Sequence, residues 1–295
     1  MKNNDNVLCF GEILWDNLPS GARPGGAPMN VALHLTRFDI NATVSSSIGN
    51  DKKGIDLIAF LEASGLRTDL IQHHKSLPTS EVLVHLDEHN SATYEICEPV
   101  AWDEISLNQE LYKEVLASKA IVFGSLASRN PITRNTLMKL LENDLLKIMD
   151  VNLRPPYNTE EIVKTLLMKS DIVKLNDDEL IAITDWYNLS GTLEERMKSL
   201  YILLNLKTLI MTMGKDGASV IHENEFYYHK GFKVATVDTV GAGDAFLAGF
   251  LAALFDKKSV PQALKEACAI GAYVTSQAGA TPLYTKDVIQ NETFL

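Results

Sequence analysis

Apolar residues fall along this chain in two rhythms. Short, nearly continuous apolar runs read as buried strands: Val7 to Leu14, Ala42 to Ile48, Ala120 to Phe123, Lys147 to Val151, Asp171 to Leu175 and Thr208 to Met211. Stretches with apolar residues three and four apart separate them and read as helices: Asn30 to Phe38, Gly54 to Ser64 closed by Gly65, Glu160 to Lys169, and a last helix with Leu264, Ala267, Cys268, Gly271 and Ala272 on one face. From Ala120 to Met211 strand and helix take turns, which predicts a parallel sheet covered by helices on both faces. Glu81 to Leu86 and Thr93 to Cys97 predict two strands about a His89-Asn90 turn. Ala218 to Ile221 and Glu225 to His229 predict a hairpin across Glu223-Asn224. Pro19 to Pro28 is rich in glycine and proline and predicts a loop or bent ribbon.

Composition narrows the class. A chain of 295 residues, 46% apolar and 22% charged, suits a soluble globular protein of one large or two small domains. Its net charge of −11 argues against nucleic acid or an acidic membrane surface as main partner. Cys9, Cys97 and Cys268 are odd in number and widely spaced, which suggests a reducing, cytoplasmic setting without disulfides. Met1 to Asn6 is polar and runs into a strand without a signal peptide. The most apolar helical stretch, Ala245 to Phe255, is too short to span a bilayer. The seven histidines show no metal-ligand spacing.

The chemistry concentrates at residues 238–250, Asp-Thr-Val-Gly-Ala-Gly-Asp-Ala-Phe-Leu-Ala-Gly-Phe. A strand-like run, Phe232 to Val237, leads in, and small residues at helical spacing lead out. Gly241-Ala242-Gly243 therefore reads as a turn at a helix N-terminus, where bare backbone and free N–H groups favour an anion, most often phosphate. Asp244 stands inside that anion site. An acid there is repulsive to phosphate unless it takes a proton from an attacking hydroxyl; as a plain alternative it caps the helix.

Five other stretches lie at expected strand ends. Asp16, taken to end the first strand, can accept two hydroxyl hydrogen bonds, or be a turn residue. Gly25-Gly26 before Asn30 gives close backbone approach plus a side-chain donor and acceptor, or a simple helix start. Asn152 and Arg154 in Asp150-Val151-Asn152-Leu153-Arg154 offer polar groups to a cleft, Arg154 equally as a surface ion-pair partner. Asn176 and Glu179, after Lys174, share a helix face and read also as an N-cap with its capping-box partner. Thr212-Met213-Gly214-Lys215-Asp216-Gly217 makes a tight turn. No Walker A lysine motif is present.

Taken together, Asp238, Thr239, Gly241, Ala242, Gly243, Asp244, Ala248 and Gly249 resemble the second signature of the PfkB, or ribokinase-like, sugar kinases. Gly25 to Ala32, with Gly49 beyond, resembles the first. One position departs: Asp39 stands where the family usually has glycine or serine, at an expected left-handed helix end. Asp150 to Pro156 resembles the Asn-x-Arg stretch of the fructokinase and 2-keto-3-deoxygluconate kinase branches, fructokinase being the nearer.

The resemblance implies a three-layer α/β/α fold with a central, mostly parallel sheet and a small β lid from about residues 12–24 and 78–100. It implies transfer of the γ-phosphoryl group of ATP to a sugar's primary hydroxyl, with Mg²⁺ bridging the phosphates. Asp244 would be the base and the turn Gly241, Ala242, Gly243 the anion hole. Asp16, Gly25, Gly26, Asn30, Asn152 and Arg154 would hold the sugar. Lys174, Thr212, Gly214 and Gly217, with Gly241 and Gly243, would hold ATP. Asn176 and Glu179 would serve Mg²⁺ through water. Asp238 and the Val240 carbonyl, with others near Thr275 to Gly279, would hold a monovalent cation such as K⁺. A homodimer through the lid is expected. A catalytically dead sugar-binding regulator need not keep Asp244, and a dinucleotide oxidoreductase needs a glycine fingerprint after the first strand, which Gly11-Glu12 does not supply.

Overall fold

Alternation along the first strand sets the layers of the computed structural model, which describes residues 6–18, 21–86, 92–157 and 159–289. In β1 (Val7–Phe10), Val7 and Cys9 belong to the apolar core on one face, Leu8 and Phe10 to that on the other. The remaining strands are β2 (Leu14–Leu18), β3 (Gly21–Gly25), β4 (Ala42–Gly49), β5 (Ile71–His74), β6 (Ser80–Leu86), β7 (Ala92–Ile96), β8 (Ala120–Gly124), β9 (Leu146–Asp150), β10 (Ile172–Asn176), β11 (Thr208–Thr212), β12 (Ala218–His222) and β13 (Glu225–His229). The helices are α1 (Ala27–Arg37), α2 (Lys52–Ala63), α3 (Gln109–Ala117), α4 (Pro131–Leu140), α5 (Glu160–Leu167), α6 (Asp177–Trp186), α7 (Leu193–Leu203), α8 (Ala242–Phe255) and α9 (Val260–Thr275).

Nine strands form one sheet in the order β13-β12-β11-β10-β9-β8-β1-β4-β5, parallel from β5 to β11 and antiparallel across β11-β12-β13. Core residues of α1, α2, α8 and α9 cover one face and those of α3 to α7 the other. This is the expected three-layer, mostly parallel architecture. Strand order reverses between β1 and β8, so a crevice opens at the carboxyl ends of these strands, where open α/β sheets bind ligands.

Four strands form a second, smaller sheet in the order β3-β2-β6-β7. It is rooted on the main body at both sides. Asp51 caps α2 at Gly54 N (2.8 Å) and takes Thr79 N (2.8 Å) and Thr79 Oγ1 (2.7 Å) just before β6. Beyond β7, Arg129 Nη2 donates to the Cys97 carbonyl (2.8 Å), and Tyr157 Oη donates to that of Ile96 (2.8 Å).

Three expectations need correction. The run Val7 to Leu14 is not one strand: β1 stops at Phe10, and Leu14 starts β2 in the small sheet. Gly11, at φ 146°, turns the chain, and a Cβ there would lie 2.9 Å from Pro28 Cγ. Asp16 therefore lies within the small sheet, opposite Arg23, not at the end of the first strand. Phe232 to Val237 is not a strand. Phe232 and Val234 are half-buried while Lys233 and Ala235 are exposed, so the alternation is there, but no strand pairs with it among the described residues. The His89-Asn90 turn lies outside the described residues. Asp39 does adopt the left-handed conformation, at φ 62°. No helix among the described residues is long and apolar enough to cross a membrane.

Candidate active site

α8 begins on Gly241, at φ 77°, where a Cβ would sit 2.5 Å from Ala280 Cα. Only glycine fits both the torsion and the space. The turn is clamped from both sides: Asp238 accepts from Val240 N (3.0 Å) and from Gly279 N (3.1 Å), and the N–H groups of Val237 and Asp238 both reach the Thr275 carbonyl. Of the first-turn donors, Ala242 N–H already points back to the Thr239 carbonyl at 3.3 Å. The N–H groups of Gly243 and Asp244 meet no backbone acceptor among the described residues. With the positive end of a 14-residue helix behind them, they form an anion site.

Asp244 Oδ2 accepts from Asn30 Nδ2 at 2.8 Å, so the two signature stretches, 214 residues apart, meet at one hydrogen bond. Burial and the Asp150 charge push Asp244 up to about 7, against the pull of Lys174, Asn30 and Arg154. Lys174 and Asp150 are direct neighbours across β10 and β9, on the sheet face that α8 covers. Lys174 Nζ donates to both Asp150 oxygens at 2.8 Å and lies 3.2 Å from where a Gly243 Cβ would be. Burial acts against the Lys174 charge, but Asp150, Asp244 and Glu179 outweigh it and hold the ammonium above the ordinary lysine value.

The other wall carries acceptors. Burial raises Asp16 to about 6, with Arg154 pulling the other way. A Cβ on Gly25 would lie 2.2 Å from Asp16 Oδ2, and one on Gly26 2.4 Å from the Glu12 backbone carbonyl; Gly25 makes room for the Asp16 carboxylate and Gly26 for the main chain at Glu12. Asn152, at φ 45°, turns the chain after β9 so that exposed Arg154 stands in electrostatic reach of Asp16, Glu12 and Asp244.

Asn176 and Glu179 make the reciprocal capping box of α6: Asn176 Oδ1 accepts from Glu179 N (2.8 Å), and Glu179 Oε2 from Asn176 N (2.9 Å). Glu179 Oε1 accepts from Leu153 N (2.7 Å), tying the Asn152–Arg154 turn to α6. Burial and Asp150 raise its carboxyl group. With each oxygen already engaged, this pair suits a cation held through water, and the described residues contain no cluster of metal-ligating side chains. Thr212 ends β11 beside Asn176, and Gly214 (φ 53°) and Gly217 (φ 86°) shape the turn beyond, where a Cβ on Gly217 would strike the His229 carbonyl.

Two residues escaped the sequence reading. Glu12 is 2% exposed at the end of β1, and Asp150 is 4% exposed under the anion turn. Neither acid has a spaced partner in the sequence: Glu12 stands two residues after β1, and Asp150 ends a strand that also carries Lys147.

Free N–H groups around one acid, facing a wall of hydroxyl acceptors, are the equipment of a phosphotransferase that works on an alcohol. The chain belongs to the pfkB family of carbohydrate kinases, whose pattern it matches over residues 20–286. It is 29% identical over 305 residues to Fructokinase-2 of Solanum habrochaites, covering 94% of this chain and 92% of that one. It is 30% identical over 296 residues to the ATP-dependent 6-phosphofructokinase of Thermoanaerobacterium thermosaccharolyticum, with 93% and 89% covered. Among solved structures, the fructokinase of Vibrio cholerae in its fructose-, ADP- and calcium-bound form superposes with a TM-score of 0.80 at 25% identity, over 94% of each chain. This protein is thus a sugar kinase.

Proposed function

We propose that the protein is an ATP-dependent fructokinase of the cytoplasm. The observation that carries the reading is Asp244: an acid held by Asn30 beside the free N–H groups of α8, in the crevice where the strand order reverses. Asp244 accepts the proton of the sugar's primary hydroxyl as that oxygen attacks the γ-phosphorus in line, and the bond from the γ-phosphorus to the β,γ-bridging oxygen breaks to release ADP. The N–H groups of Gly243 and Asp244, with Lys174 beneath them, meet the charge on the transferring group. Asp16, Asn30, Asn152 and Arg154 hold the sugar, with Gly25 and Gly26 letting it approach the backbone. Thr212, Gly214 and Gly217 line the nucleotide side. Asn176 and Glu179 would hold Mg²⁺ through water, and the ion would there neutralise phosphate charge. Asp238 with the Val240 carbonyl is an all-oxygen set suited to K⁺. The small sheet acts as a lid over the sugar and, through its free edges, as the contact of a homodimer.

Fructose is favoured by the Asn152-Leu153-Arg154 turn and by the fructokinases among the similar proteins. A panel of fructose, fructose 6-phosphate, ribose and 2-keto-3-deoxygluconate with ATP and Mg²⁺, read as ADP release, tests this. The highest kcat/KM is expected on fructose. A higher value on another sugar reassigns the substrate, and no turnover on any sugar points to a non-catalytic sugar-binding regulator.

A further inference from the structure

Glu12 brings a further carboxyl group to the crevice, one without a role in the mechanism above. Glu12 follows β1 and meets its own N–H and that of Ala27, the first residue of α1. Arg154, after β9, and Asp244, on α8, are the charged groups that face it. Glu12 Oε2 is buried and accepts no hydrogen bond among the described residues, and the same holds for Asn30 Oδ1, three residues beyond Ala27 on α1. Asn30 gives its amide N–H to Asp244, so its carbonyl oxygen must point elsewhere. Helix side chains lean toward the N-terminus, which brings Asn30 back over the turn where Glu12 docks. Two buried acceptors that both meet the first turn of α1, neither with a donor among the described residues, are unfavourable, and one proton shared between them would satisfy both.

We propose that Glu12 is a positioning residue that works as a neutral carboxylic acid: its Oε2–H donates to Asn30 Oδ1, fixing the amide with its N–H toward Asp244 and so aiming that carboxylate at the sugar hydroxyl. Burial, with a smaller push from Asp244, raises Glu12 to about 7 against the pull of Arg154, which agrees with a proton being held there. Were Glu12 ionised, the Asn30 carbonyl oxygen would face a carboxylate oxygen with no proton between them. The inference rests on Asp244 as the acceptor of the sugar's proton.

Glu12→Gln keeps a donor at this point and Glu12→Ala removes it. E12A should lower kcat by roughly tenfold or more, the scale of leaving a buried acceptor without a donor, with the KM for ATP little changed. E12Q should recover most of that loss, and the alkaline fall of wild-type kcat/KM should flatten in it, because the amide cannot ionise. An E12Q as impaired as E12A overturns the proposal, since Glu12 then acts as an anion. Infrared difference spectra of wild type against E12Q at about pH 6, below the raised value, read the same proton without turnover. Loss of a carboxylic-acid carbonyl band in E12Q is expected; loss of carboxylate bands overturns the proposal, even if E12A fails to fold. A protein that turns over no sugar yet loses the acid band in E12Q sinks the functional reading and leaves the Glu12 proton standing.

Discussion

Asp244 is pulled in two directions by its neighbours, and that contest sets its pH behaviour. Burial and Asp150 raise it to about 7, while Lys174, Asn30 and Arg154 restrain the rise. The basic form exists above that value, so kcat/KM for the sugar should fall on the acid side by about tenfold per pH unit. Asp244→Asn should cost ~10²–10⁴-fold in kcat while ATP and sugar binding, measured by calorimetry, persist. A near-normal kcat would end its assignment as base. The same shift carries a stability sign. The folded value lies above the unfolded one, so the folded state holds the proton more tightly and loses stability as pH rises through about 7. D244N should therefore melt higher than wild type at about pH 8, with the gap closing toward about pH 4. Asp16→Ala tests the sugar wall. Hydrogen bonds to a charged group are worth roughly 1.5–3 kcal/mol, so the sugar KM should rise by about tenfold or more with the ATP KM little altered. Equal effects on both would place Asp16 away from the sugar.

At the scale of elements, α8 is the unusual one. Every residue from Ala245 to Ala253 is buried, so it has no polar side and is stable only between the sheet, α1 and α9. Gly249 lets α9 close in: a Cβ there would lie 2.7 Å from Ile270 Cγ2. At its start Gly241 abuts Ala280, so the same seam shapes the anion turn and seats the 275–280 segment against it. Gly241→Ala should lower the melting temperature by several degrees and kcat by at least tenfold, from left-handed strain of roughly 1–2 kcal/mol plus the clash. Gly214→Ala is the matched control: also left-handed, at φ 53°, but with nothing within 4 Å of the added carbon. Melting curves that drop equally for both variants would show that packing on Ala280 adds nothing.

For the whole molecule, the proposed function assigns movement to the small sheet. It hangs on Asp51–Thr79 at one root and on the Arg129 and Tyr157 contacts at the other, and its edge strands β3 and β7 lack a partner on one side among the described residues. A cleft left open during transfer would lose ATP to water, so closure has to exclude it. Backbone amides of β6 and β7 should exchange more slowly with sugar bound, and light scattering at micromolar concentration should give twice the monomer mass, because free edges favour pairing. A monomer whose β6 and β7 amides exchange at the same rate with and without sugar would remove both the lid and the dimer from the account.

Local order was legible in the sequence because local forces make it. The period of apolar residues marked the parallel strands, and the turn chemistry of Glu223-Asn224 anticipated a hairpin whose two residues take φ of 50° and 68°. Asn176 and Glu179 were read as a capping box from their spacing alone, and the glycines before Asp244 as a turn at a helix N-terminus. Periodicity tells which side of a segment is buried, not against what. It could not foresee that β2 leaves the main sheet after Gly11, nor that Phe232 to Val237 finds no strand beside it, since pairing depends on which partners the topology supplies. The site shows the same division. Asp244 and Asn30 were separately visible, but their hydrogen bond joins residues 214 apart. Glu12 and Asp150 passed unnoticed because a lone acid after an apolar strand has no spacing to betray it. Their importance comes from burial beside Arg154, Lys174 and Asp244, and only the packed tertiary structure puts those charges within reach.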